Sequence, residues 1–232
     1  MKHTLFSFLR SWILCSVVVP VPSCWATVIG PGGSTPVSGT TVAARPELAG
    51  VVLQDSIVNW SDSLNTTFGT LQTRVVQENS TGTLDFYFRI FNNPQSANFV
   101  SAGRFEDYAA FSTDVDYRLD GLGDVGPIEV KRVGVGGSSV NFVFDSAEPN
   151  GVAPGQSSLF LLIKTDARNY TTSQGDLIIG PDLAGAPSGD LSNLFTVWAP
   201  GSPYSCVPEP GAYAMIALGF AFLGVARRRV RS

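Results

Sequence analysis

Across residues 46–198, apolar side chains never recur at i, i+3, i+4 and i+7 for three turns without a Gly or Pro intervening. No long amphipathic helix is encoded there. The chain instead carries period-two alternation and short β-branched or aromatic runs set between breakers. These runs are Val51–Trp60, Phe68–Gln77, Leu84–Phe91, Pro127–Val133, Val140–Phe144, Ser158–Thr165, Asp176–Ile179 and Leu194–Trp198, with one or two more between Phe105 and Tyr117. The clearest alternation puts Leu84, Phe86, Phe88 and Ile90 on one face and Asp85, Tyr87, Arg89 and Phe91 on the other. Asn79–Thr83 reads as the turn of a hairpin between two of the runs. Pro127 predicts a sheet edge for its run, and the apolar run 158–165 predicts a central strand. About eight to ten short strands predict an all-β fold: a single β-sandwich, Greek-key or jelly-roll-like, with a barrel as the alternative.

The segment ahead of this pattern differs. Residues 27–45 hold Ile-Gly-Pro-Gly-Gly-Ser-Thr-Pro and further small residues without any apolar period. They predict a flexible linker over 27–45, followed by the sandwich domain over 46–206.

Both ends of the chain read as addresses. In residues 1–26, Lys2 and Arg10 precede an apolar core, Ser11–Val19, and Ser-Cys-Trp-Ala places small residues at Cys24 and Ala26. That order predicts a signal peptide cut after Ala26 by signal peptidase. An uncleaved anchor and a lipoprotein site at Cys24 are the competing readings; the apolar run is short for a span, and Pro22 fits a lipoprotein site poorly. At the other end, Val207-Pro208-Glu209-Pro210 is followed by the uncharged stretch 211–226 and then by Arg227, Arg228, Arg229 and Arg231. As a helix, sixteen residues rise about 24 Å, and arginine snorkelling covers the shortfall against a hydrocarbon core of about 30 Å. The arginines predict a cytoplasmic end, so the body lies outside and only the tail crosses.

Motif, apolar helix and arginine-rich stop, in that order, resemble a PEP-CTERM sorting signal over residues 207–232. The resemblance implies recognition by an exosortase, a membrane transpeptidase that removes the tail near the motif. It also implies a Gram-negative host that makes extracellular polysaccharide, hence a membrane-anchored precursor and then a cell-surface or extracellular protein in an exopolysaccharide or biofilm setting. It implies nothing about the chemistry of the body, since one tail can serve many folds.

The body itself excludes much. The single His is His3, and the three Cys are Cys15, Cys24 and Cys206. A chain cut after Ala26 therefore has no Ser-His-Asp triad, no His-ligated zinc and no internal disulfide. Residues 27–206 hold 18 Asp and Glu against 9 Lys and Arg, a net −9, which disfavours nucleic acid and tolerates divalent cations. The densest acidic stretch places Asp114, Asp116, Asp120 and Asp124 near one another, a weak candidate Ca²⁺ site that lacks the EF-hand spacing. Solvated turn carboxylates, with Arg118 as ion-pair partner, are the plainer reading. Trp60, Tyr87, Tyr108, Tyr117, Tyr170 and Trp198 could stack on sugar rings or pack the core. Asn59, Asn65, Asn79 and Asn169 stand in Asn-x-Ser/Thr triplets, which suggest surface turns. The resulting expectation is an exported, non-catalytic surface or matrix protein without a required cofactor. A carbohydrate- or calcium-binding module is the alternative, and a glycan-active enzyme ranks below both.

Overall fold

The computed structural model describes residues 27–144, 151–180 and 190–202. The expected signal peptide, residues 1–26, and the expected cut after Ala26 lie outside this range. So do Cys206, the motif Val207–Pro210 and the arginines 227–231.

The strands are β1 (Ser34–Pro36), β2 (Val51–Ser61), β3 (Phe68–Gln77), β4 (Leu84–Asn92), β5 (Val100–Phe105) and β6 (Thr113–Arg118). They continue as β7 (Glu129–Val133), β8 (Ser139–Val143), β9 (Phe160–Thr165), β10 (Tyr170–Ile179), β11 (Asp190–Leu191) and β12 (Phe195–Pro200). One 3-10 turn, Pro46–Leu48, precedes β2. A five-stranded sheet runs β2-β3-β4-β9-β6, and a seven-stranded sheet runs β1-β7-β8-β5-β10, with β11 and β12 both on β10. Every pairing between these strands is antiparallel.

The two sheets share one core. Leu84, Phe86, Phe88 and Ile90 are all buried in it, as the alternation requires. From the opposite sheet, Phe105 stacks on Phe88 with centroids 3.8 Å apart, and Phe142 meets Phe105 edge to face. Phe86 meets Tyr108 in the same way. Such ring pairs each add about 0.5–1.5 kcal/mol beyond the burial of their area. Close packing also sets one glycine: a Cβ on Gly69 would lie 1.9 Å from the Phe91 carbonyl oxygen and 2.8 Å from Trp60. Only a hydrogen fits between β3 and β4 there.

The 68–77 and 84–91 runs pair as the expected hairpin, with Glu78 N–H donating to Thr83 O across the turn. The Phe105–Tyr117 region holds β6 and the end of β5, as expected, joined by a loop in which the carbonyls of Tyr108 and Phe111 accept from the buried Arg132 guanidinium. Other expectations are revised. The Pro127–Val133 run is not at an edge, because the three-residue β1 lies outside β7. Asn59 sits within β2, whereas Asn65 occupies a turn with φ 55°.

The largest revision concerns residues 27–45, which are not a loose linker. Residues 27–29 run beside β6, with Ile29 N–H donating to Thr113 O and Val115 N–H to Thr27 O. Residues 34–36 form β1 on the other sheet, and Thr40 bridges to Arg118 on β6. Val42 and Leu48 then cross the outer face of the five-stranded sheet and cover Val76, Tyr87, Phe160 and Leu162. The arm covers the open edge of β6 and joins both sheets, which is how an exposed strand edge is made safe.

Candidate functional site

The acidic stretch is what holds this arm. Asp114 Oδ1 accepts from Thr27 N–H at 2.8 Å, and its Oδ2 meets Arg45 at 2.5 Å. Asp116 Oδ1 accepts from the N–H groups of Gly39 and Tyr117, each at 2.9 Å. Asp120 accepts from Val42 N–H at 2.7 Å and from Arg118 Nε at 2.6 Å. Asp124 turns elsewhere and accepts from the N–H and hydroxyl of Ser157. Arg118 is thus the ion-pair partner of Asp120. The four carboxylates do not converge on a common point. Each is committed to a separate protein donor, and among the described residues no group of three or more His, Cys, Asp or Glu is placed to share a metal ion. Burial raises the Asp116 carboxyl, and its two backbone donors offset that only in part. Burial also acts upward on Asp120, but Arg118 and the Val42 N–H outweigh it and hold that group below the usual carboxylate range.

Behind the arm lies a group of charges that sequence reasoning missed. Asp85, Lys164 and Asp114 stand side by side on β4, β9 and β6, on the outward face. Lys164 pairs with Glu78, whose other oxygen accepts from the Thr81 hydroxyl. Arg45 pairs with Asp114 and Glu47. Both cations are taken, and Asp85, fully buried, has neither oxygen hydrogen-bonded. Burial first, and then the Glu78 charge, push its carboxyl up to about 8. The alternation of 84–91 marked Asp85 as outward-facing, but no local signal tells that the arm covers that face.

Beside this group the outer face opens into a cleft of about 490 Å³. Its lining includes Arg74, Arg118, Tyr87, Phe160, Gln72 and Asp120. Arg74 lies 5.0 Å from the Phe160 ring centre and Arg118 5.9 Å from that of Tyr87, and the two rings meet edge to face. Asp55 and Asp120 hold the two guanidiniums in place. Arginine fixed on an aromatic platform is a preorganised donor array. Of the aromatics expected to be available for sugar stacking, Trp60, Tyr87 and Tyr108 are buried, Tyr117 is half-buried, and Tyr170 and Trp198 meet each other edge to face.

Among the described residues no helix is long and apolar enough to cross a membrane. The apolar stretch 211–226 lies outside them. Comparison with known proteins bears on that end alone. The family model described as the PEP-CTERM protein-sorting motif matches residues 207–230, the segment holding Pro208-Glu209-Pro210, the apolar stretch and the arginines. Among curated proteins and among solved structures, none matches the chain. The match establishes what directs this protein rather than what its body does: the chain is a PEP-CTERM domain-containing protein, an exosortase substrate.

Proposed function

We propose that the chain is an exported, non-catalytic surface protein. Its leader is removed after Ala26, its tail is removed by exosortase, and its two-sheet body serves as a β-sandwich component of an extracellular polysaccharide matrix. The observation that carries this reading is the sorting motif at 207–230. The carboxylates of the acidic stretch add support, because Asp114, Asp116 and Asp120 are spent on holding the arm and Asp124 on Ser157 rather than facing a common point. The test is the intact mass of the protein recovered from the surface or medium of its host. A mass spanning residues 27 to about 209 is expected, with any added mass reporting attachment at the processed end. A protein extending to Ser232 and found only in the inner membrane would overturn the reading. Replacing Pro208-Glu209-Pro210 by alanines should trap that longer form.

A second reading, a carbohydrate-binding module, draws on the Arg74–Arg118 cleft. Guanidinium donors laid on rings suit a carboxylate-bearing sugar better than a neutral one. An array of acidic and neutral glycans should show binding that favours uronic acids and falls at least about tenfold in Arg118→Ala, the loss of roughly one charge-assisted hydrogen bond. Equal binding by the variant, or none by the parent, would remove this reading.

A further inference from the structure

We infer that the amine created by leader removal has a built site: Asp114 receives the new α-ammonium of Thr27 and locks the arm onto the folded body. This rests on the proposed cut after Ala26. In that cut, water adds across the Ala26–Thr27 amide. Ala26 leaves as a carboxylate, and Thr27 keeps the nitrogen, which takes a proton to become an ammonium. One neutral N–H donor becomes a cation with three donors. The nitrogen already sits 2.8 Å from Asp114 Oδ1, and the chain that follows it is fixed by Val115 N–H donating to Thr27 O and Ile29 N–H donating to Thr113 O.

The surroundings favour the added charge. Val28 borders a cleft of about 310 Å³ whose lining includes Glu78, Asp114 and Asp166 against the single cation Lys164. Lys164 is committed to Glu78, and Arg45 engages Asp114 chiefly through Oδ2. Asp114 Oδ1 therefore faces the Thr27 nitrogen at short range. The attraction between a half-buried ammonium and a buried carboxylate is screened less than that between two exposed side chains. The chain before processing can make only the neutral hydrogen bond. Leader removal then does more than release the protein, since it completes the contact that fastens residues 27–45.

Two forms of residues 27–202, the span that holds every described strand and the shared core, test this. One begins at Thr27 with a free amine. The other carries Gly-Ser-Gly-Ser before Thr27, which preserves the N–H but moves the charge away. The free-amine form is expected to melt about 2–4 °C higher at low salt, as a stabilisation near 1 kcal/mol gives in a body of this size, and Asp114→Asn should erase the difference. Equal melting of the two forms, or a difference that survives Asp114→Asn, would overturn the inference. Should Asp114→Asn fail to fold, labelling decides. The Thr27 amine of the folded parent should react with an N-hydroxysuccinimide ester several-fold more slowly than in urea, and equal rates would count against the site. The N-terminal residue of the exported protein is read separately by mass. A start elsewhere would refute the cut, while the melting comparison would still report on the pair.

Discussion

Arg132→Lys is expected to cost about 2–3 kcal/mol and Arg132→Ala about 3–5 kcal/mol, the range for stranding partners of a buried charge. The reason is the number of acceptors that one guanidinium serves. Arg132 is 3% exposed. Its Nε donates to Gly137 O at 2.9 Å, one terminal nitrogen to Ile29 O and the Thr113 hydroxyl, and the other to the carbonyls of Tyr108 and Phe111 at 2.7 and 2.8 Å. All five N–H donors are used, and they tie together the arm, the loop after β5, β6 and the turn between β7 and β8. Among the described residues it has no carboxylate within ion-pair distance, and burial lowers its affinity for the proton. A lysine ammonium offers three donors on a flexible stem and cannot reproduce the planar fork. For a body of this size the alanine loss corresponds to roughly 6–20 °C in melting temperature. Urea unfolding should show the midpoint falling with an unchanged slope. A lysine variant as stable as the parent would mean that water replaces the missing donors and that the five contacts contribute little.

The strands were legible because alternation is local. Phe86, Phe88 and Ile90 announce an inward face by their spacing alone, and β3 begins and ends where its β-branched run does. What escaped is held by contacts remote in sequence. Nothing in Ile-Gly-Pro-Gly-Gly marks a docked segment, since its anchors are backbone N–H groups meeting carboxylates 87, 77 and 78 residues further on. The same remoteness turned Asp114, Asp116 and Asp120 into a possible ion site, because spacing shows proximity along the chain but not the donors that arrive from elsewhere. The first half of β10, Tyr-Thr-Thr-Ser-Gln-Gly, is too polar to read as a strand. It becomes one by pairing with β12 from Tyr170 to Gly175. The sorting motif at residues 207–230 was legible, as its parts are contiguous in sequence and need no tertiary context to be read.

Replacing Asp85 by asparagine should stabilise the protein, and increasingly so as pH rises. A carboxyl raised to about 8 in the folded state, against about 3.9 in an unfolded chain, binds its proton more tightly when folded. The stability it contributes is fully present below the unfolded value and is lost as pH climbs through the folded one. The groups facing it are Glu78, Lys164, Arg45 and Asp114. Both cations among them are already paired, so an ionised Asp85 would be a third carboxylate without a free counter-charge. Asparagine keeps the shape and cannot ionise. The linkage slope of about 1.4 kcal/mol per pH unit sets a ceiling near 5 kcal/mol, and local rearrangement with entry of water reduces this to about 2–4 kcal/mol at pH 8. Below pH 4 the two proteins should differ little. Asp55, Asp62 and Asp120, held low by their donors against the upward pull of burial, make both proteins less stable in acid, and taking the variant minus the parent cancels that contribution. The measurement is urea unfolding of both proteins at unit steps from pH 4 to pH 9. A gap that widens with pH is expected. A gap that stays flat would show that Asp85 ionises as an ordinary surface carboxylate, and hence that the arm does not seal the outer face of the five-stranded sheet.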